Sequence, residues 1–393
     1  MRIDLFCAVV DNYGDIGVCW RLARQLVAEH GCQVRLIVDD LGAFRVIAPE
    51  IDPGLTRQSL LGVEVVAWSA ADTLVPADVV IEAFACNPPT RYVQAMAKRA
   101  TKPVWINLDY LSAEPWVDQI HGMPSQHQRL PLTKNFFCPG FTEASGGLIR
   151  ERLVMRSTNR LFGPLSLGER VGGRDVAHDP SLDATHRLSP LAPPPPPGRA
   201  LRPRGEGDNM STLRIFAFAY PHAPVRALKQ AFAAAGVPST VTGAAPLIHS
   251  EPDWPFAAPV AQTQFDALLA GFDFLIVRGE DSFIRAQWAA KPFLWHIYPT
   301  DDGAHLIKLD AWLDRYCVGL DVNASAAYRA ASHAFNAATS DALQREPYQA
   351  VAQNITTLAA HAHRWRDMLM QQTDLATRLL KFIAKQTEVL ASN

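Results

Sequence analysis

The chain has 393 residues, 48% of them hydrophobic and 19% charged, with a formal net charge of -2. That is enough for two domains of ordinary globular composition, and the near-neutral balance leaves no electrostatic footprint for nucleic acid or an acidic membrane surface. No stretch reaches the roughly 20 apolar residues that span a bilayer, so neither nucleic acid nor membrane is expected as a partner.

In chain order, Ile3 to Val10 is an apolar run that reads as a buried parallel strand. The turn Asp11-Asn12-Tyr13-Gly14-Asp15-Ile16-Gly17 follows it, and then a helix whose Val18, Leu22, Ala23, Leu26 and Val27 share one face. Gly31 stops that helix, and Val34 to Val38 is the next strand. This β-α-β unit closes right-handed and puts the turn at the carboxyl edge of the sheet. Val63 to Trp68, Val79 to Phe84 and Pro103 to Leu108 read as further strands, and Arg91 to Arg99 as a helix.

From about Ser157 the pattern fails. Gly172-Gly173, five consecutive prolines from Pro193 to Pro197, and the basic run Arg199 to Gly205 have no apolar periodicity, as expected of a disordered linker or insertion. A second α/β pattern starts with a strand at Leu213 to Ala219 and a helix at Ala223 to Ala235. Further helices are expected at Phe265 to Ala270 and Ser282 to Ala290, with strands at Phe272 to Val277 and Pro292 to Ile297 and a helical tail from Ala324. The fold class is therefore α/β of GT-B type, two Rossmann-like domains facing across a cleft with a C-terminal helical tail. The expected divisions are 1–156, 157–211 for the linker, 212–363, and 364–393 for a helix that packs back on the first domain.

The six cysteines, Cys7, Cys19, Cys32, Cys86, Cys138 and Cys317, form no Cys-x-x-Cys pair, and a zinc site or redox motif is not expected. Their apolar settings suit reduced thiols and a reducing cytoplasm. The N-terminus has no signal-peptide pattern, because Asp4 and Asp11 bracket too short an apolar run.

Two strand-to-helix turns carry the candidate chemistry. In the first, helix capping explains Asp15, with Gly14 and Gly17 serving the tight backbone, but it leaves Asp11 over. Carboxylates at the carboxyl edge of an open α/β sheet are where ligands bind. The second is Arg278-Gly279-Glu280-Asp281-Ser282. It reads either as a capped acidic helix start or as an anion site built from helix N–H groups. Tyr298 closes the next strand, and Phe218 and Tyr220 end the first strand of the second half. They can be core aromatics or can flank a ligand.

The stretch Asp-Asn-Tyr-Gly-Asp-Ile-Gly-Val-Cys-Trp-Arg-Leu-Ala-Arg-Gln-Leu (Asp11 to Leu26) resembles the opening of the protein-arginine rhamnosyltransferases that modify elongation factor P. So do Arg-Gly-Glu-Asp-Ser-Phe-Ile-Arg-Ala-Gln-Trp-Ala (Arg278 to Ala289) and Lys291 to Pro299. Shorter matches are Glu82 to Cys86, Leu111 to Glu114, and Pro139 to Thr142 with Gly146 to Leu148. The third residue of Asn107-Leu108-Asp109-Tyr110 is Asp where the family pattern has Glu, which keeps the charge.

The resemblance implies inverting transfer of L-rhamnose from dTDP-β-L-rhamnose to one arginine of elongation factor P. It implies Asp15 as general base, Asp11 as its partner in holding the arginine, and Asn12, Tyr13, Gly14 and Gly17 as the loop around them. It also implies a donor site of Phe218, Tyr220, Phe256, Gln262, Arg278, Glu280, Asp281, Ser282 and Tyr298. No metal or other cofactor is expected. Two other classes remain open: a GT-B transferase with a small-molecule acceptor, and a silent nucleotide-sugar-binding module.

Overall fold

The computed structural model describes residues 1–10, 13–152, 212–221, 223–244, 247, 254–337 and 344–392. The expected linker at 157–211 lies outside the described residues, as do Asp11 and Asn12.

The first sheet is assembled from β1 (Arg2–Cys7), α1 (Gly14–His30), β2 (Gln33–Val38), α2 (Leu41–Ile47), β3 (Arg57–Leu60), β4 (Val63–Ala67), β5 (Val79–Ala83), α3 (Thr90–Lys98), β6 (Val104–Leu108), α4 (Trp116–Ile120), β7 (Pro124–Gln126) and β8 (Thr133–Phe137). Its order is β3-β4-β2-β1-β5-β6-β8-β7, parallel throughout except for the short antiparallel edges β3 and β7. One face carries α1, α2 and a helix from the far end of the chain, over Ile3, Leu5, Leu36 and Ile81. The other carries α3 over Phe6, Ile37, Val80 and Trp105. Burial on both faces is why these strands read as continuous apolar runs.

The strand β1 stops at Cys7, three residues short of the expected Val10. Beyond it the backbone N–H of Val9 donates to Asp39 Oδ1 at 2.9 Å and that of Val10 to Asp15 Oδ2 at 2.8 Å. Side-chain carboxylates replace ladder partners here, and the chain lifts off the sheet, leaving Val10 79% exposed despite its apolar side chain.

The second sheet is β10-β9-β11-β12, all parallel, from β9 (Leu213–Ala217), α5 (Val225–Ala234), β10 (Ser239–Gly243), α6 (Phe265–Ala270), β11 (Phe274–Arg278), α7 (Asp281–Ala289) and β12 (Phe293–His296). The helices α8 (Ala304–Tyr316), α9 (Val322–Asn336), α10 (Glu346–Gln353) and α11 (Ile355–Met370) complete its core. The apolar contact is continuous between domains: Leu111, Phe141 and Leu148 of the first half belong to the core of the second.

The last helix, α12 (Leu375–Ser392), returns to the first sheet with Leu375, Ala376, Leu379 and Ile383. Its head is fixed where Leu375 N–H donates to Leu148 O at 2.9 Å and Arg378 Nη1 donates to the carbonyls of Thr142 and Ser145. The expected division at 364 falls inside α11, whose Leu358, Trp365 and Leu369 pack on the second domain. The change of partner comes at 371–374, where a turn separates two amphipathic faces that simple helicity does not distinguish. Two parallel α/β halves with a C-terminal helix crossing back form the GT-B architecture. No helix among the described residues is long and apolar enough to cross a membrane.

Candidate active site

Both expected turns lie at carboxyl edges of parallel strands, and they face one another. A cavity of about 960 Å³, open mouth included, is lined by Tyr13, Gly14, Val46 and Ile47 from the first domain. The second contributes Phe216, Phe218, Gln262, Phe265, Arg278, Asp281 and Ser282, and an apolar segment at 257–260.

Asp15 is the second residue of α1 and is buried. Its carboxylate reaches back to the Val10 N–H, tying the strand-to-helix loop to the helix start, while Tyr13 occupies the N-cap position without a side-chain cap bond. Gly17 is not a turn residue, as expected, but a helical one. A Cβ there would lie 3.2 Å from Asp281 Cβ, Asp281 Oδ2 and Gln262 Nε2, so glycine allows α7 to approach α1.

In the second turn Gly279 takes φ +57°, the left-handed region that favours glycine. Ser282 Oγ donates to the carbonyl of Arg278 and accepts from the Arg278 N–H at 3.2 Å. It closes the turn as well as facing the cavity. The Arg278 guanidinium lies between two rings, 4.6 Å from the Phe218 centroid and 4.8 Å from that of Tyr220. Tyr298, half exposed, stands edge-on to Tyr220 at 5.6 Å, on the rim rather than in the cavity wall.

Phe256 packs at the edge of the cavity. Its ring covers Gly243, where a Cβ would come within 2.7 Å of it, and the cavity wall begins only at Ala257. Bridging of Gly243 and Phe256 backbones fixes that position.

The acidic pair at the head of α7 divides electrostatically. Asp281 is held down to about 2: burial opposes its charge, but Arg285 and Arg21 outweigh it. Glu280 is pushed up to about 7, mainly by burial, with the charges of Asp15 and Asp109 adding to the rise and Lys308 and the Leu111 N–H opposing it. Glu280 Oε2 accepts that N–H across the domain boundary at 2.9 Å. The same influences show that Asp15, Asp109, Glu280 and Lys308 share one electrostatic neighbourhood. Beside it Phe84 stacks on Tyr110 at 4.2 Å, and Phe84, Ala85 and Asn87 all hold left-handed backbone.

Sequence reasoning missed a second layer. Arg21, fully buried, donates from Nε and Nη2 to both oxygens of Glu151 at 2.8 and 2.6 Å, and from Nη1 to Asp281 Oδ1 at 2.8 Å. Arg285 pairs with Asp281 and Asp266. Gln262 Nε2 donates to Gly17 O at 2.7 Å and to Asp281 Oδ2 at 2.9 Å, and its Oε1 accepts from Arg24 at 3.1 Å. Gln262 and Asp281, both expected to hold the donor, thus also join the two domains. The available signal was the stripe Gly17, Arg21, Arg24 at helical spacing, a small residue and two cations on one face of α1.

This geometry can be set beside known proteins. The family model described as Elongation-Factor P (EF-P) rhamnosyltransferase EarP matches residues 3–245 and 255–384. The chain belongs to the EarP family. Protein-arginine rhamnosyltransferases of Pseudomonas putida and Pseudomonas aeruginosa are each 40% identical to it, over 96% and 97% of this chain and 97% and 98% of their own. That of Neisseria meningitidis is 34% identical over 98% of this chain and 97% of its own. A solved EarP structure, described as the structural basis for EarP-mediated arginine glycosylation of translation elongation factor EF-P, superposes with a TM-score of 0.55 at 28% identity, covering 98% of this chain and 99% of its own. Arabidopsis thaliana UGT89C1 complexed with UDP-L-rhamnose shares the fold, with a TM-score of 0.50 at 10% identity over 98% of each chain. This EarP-family chain is a glycosyltransferase, a protein-arginine rhamnosyltransferase.

Proposed function

We propose that the chain transfers L-rhamnose from dTDP-β-L-rhamnose to one arginine side chain of translation elongation factor P, with inversion and with Asp15 as general base. The observation that carries this reading is the shared cavity: the turn holding Asp15 and the turn from Arg278 to Ser282 open into the same space. The family's description and that of the solved EarP structure support the acceptor. The donor rests on the sequence resemblance. The free cysteines suit a reducing cytoplasm.

The thymine fits the apolar wall of Phe216, Phe265 and residues 257–260. The diphosphate fits Arg278, held between two rings, and the N–H groups that open α7, where the helix dipole favours negative charge. Tyr220 and Tyr298 back that end.

The acceptor guanidinium has a pKa above about 12 and is poorly nucleophilic when fully protonated. Asp15, with Asp11 from the same turn, grips its planar fork by charge-assisted bonds. One guanidinium nitrogen attacks the anomeric carbon as the bond from that carbon to the diphosphate oxygen breaks. The proton from the attacking nitrogen passes to Asp15, and dTDP leaves on the opposite face, inverting the configuration. Charge gathering on the diphosphate is met by Arg278 and the head of α7. No metal enters this scheme.

Incubation with elongation factor P and dTDP-rhamnose, read by intact mass, tests the reading. One added deoxyhexose on the acceptor is expected. An unmodified acceptor with donor consumed on another compound would give a small-molecule transferase, and donor bound without turnover would give a binding module.

A further inference from the structure

The buried ion-pair chain between the domains reaches the helices of both reacting halves. Arg21 lies six residues beyond Asp15 on α1, about 9 Å along the axis. Asp281 is the first residue of α7 and the neighbour of Ser282 in the anion turn. One guanidinium therefore joins the helix that carries the base to the helix that opens on the diphosphate, through a 2.8 Å bond from Nη1 to Asp281 Oδ1. Its other edge is clamped by both oxygens of Glu151, so the planar fork cannot rotate about either contact.

The charges close on themselves. Arg21, Arg24 and Arg285 face Glu151, Asp266 and Asp281, three against three. Glu151 is held down to about 2: burial opposes its charge, and Arg21 outweighs that burial. Elsewhere the domains meet through apolar contacts, such as Phe141 edge-on to Phe283 at 6.3 Å, and through single hydrogen bonds, such as Trp288 Nε1 to Ile149 O at 2.8 Å and Leu111 N–H to Glu280 Oε2 at 2.9 Å. A buried, forked ion pair is directional.

We propose that Arg21 is a positioning residue for rhamnosyl transfer: through Asp281 it sets the separation between Asp15 and the anion turn. The inference rests on the reading of Asp15 as the base. It gives Asp281 a role in alignment in addition to any contact with the donor, and it explains why glycine stands at position 17, where the two helices touch.

The test is a double-mutant cycle of Arg21→Met and Asp281→Asn in the full chain, with Arg21→Lys as the variant used if Arg21→Met does not fold. Lysine keeps a cation but has no planar fork. Turnover is measured with elongation factor P and dTDP-rhamnose, and donor binding by calorimetry. For Arg21→Met or Arg21→Lys, the turnover rate should fall about tenfold or more, with donor KM and binding stoichiometry changed by less than about threefold, as expected of lost alignment. The two substitutions should be non-additive in turnover, because each breaks the same link. Turnover close to that of the parent, additive losses, or a turnover loss matched by lost binding stoichiometry would overturn the proposal. Asp15→Asn assayed alongside separates the two readings: full turnover there removes the base assignment, whereas the Arg21–Asp281 cycle reports alignment alone.

Discussion

Gly17 and Asp281 meet across the domain boundary, so closely that a methyl group on Gly17 would stand 3.2 Å from both Cβ and Oδ2 of the aspartate. Two effects of Gly17→Ala then oppose each other. Alanine favours the helix by about 1 kcal/mol over glycine, yet α7 and Gln262 must retreat by a few tenths of an ångström. Thermal stability should hold or rise while turnover falls several-fold. A melting curve and a turnover assay on one preparation check both signs.

Asp15→Asn keeps an oxygen that can accept the Val10 N–H, so the turn should survive. The proton acceptor is gone. Turnover is expected to fall by about 10²-fold or more, the usual scale for losing a positioned base, with donor affinity nearly unchanged in calorimetry. Near-normal rhamnosylation by this variant would reject the base assignment.

Glu280, beside the anion turn, has its acid pushed up to about 7, mainly by burial. Below that pH the neutral acid does not repel diphosphate. Above it the carboxylate does, so donor binding should weaken as pH rises from about 6 to about 8. Glu280→Gln should flatten the profile. An equally steep dependence in the variant would assign the titration to another group.

Acid stability follows from Glu151 and Asp281, both held near 2, below the ordinary carboxylate range, with Arg21 and Arg285 outweighing their burial. Depressed acids stabilise the fold above their unfolded pKa, near 4, and that contribution is lost as pH falls from about 4 to about 2. Glu280 runs the other way. Its raised pKa withdraws stability as pH climbs from about 4.5 to about 7. Melting temperature should therefore rise steeply from about pH 2 to about pH 4 and then decline gently. Glu151→Gln should flatten the acid limb and lower stability overall, since it strips a partner from a buried arginine, a change worth about 3–5 kcal/mol.

The alternation of apolar runs and amphipathic segments placed the central parallel strands of both sheets and both turns, because strands buried on two faces and one-sided helices leave distinct periodicities. The parallel strands β8 and β10, partly exposed, were not expected. The edge strands β3 and β7 were not visible: four and three residues with half-exposed side chains carry no pattern. Asp15 and the turn from Arg278 to Ser282 stood out because charge is unusual at a strand end. Arg21, Glu151 and Arg285 did not, because pairing across 130 and 260 positions of sequence is a tertiary fact. Phe256 came from resemblance alone, and its ring's contact with Gly243 is likewise a tertiary fact.

The return of α12 to the first sheet has a consequence for how the molecule is made. The core begun by Ile3 and Leu5 is finished by Leu379 and Ile383. Domains usually fold as they leave the ribosome, amino-terminal first. Here the earliest domain to emerge must wait for the last helix, with the whole second domain synthesised in between. A polypeptide clipped before Leu375 would therefore leave the part of that core beside β6 without the cover of Leu375, Ala376, Leu379 and Ile383.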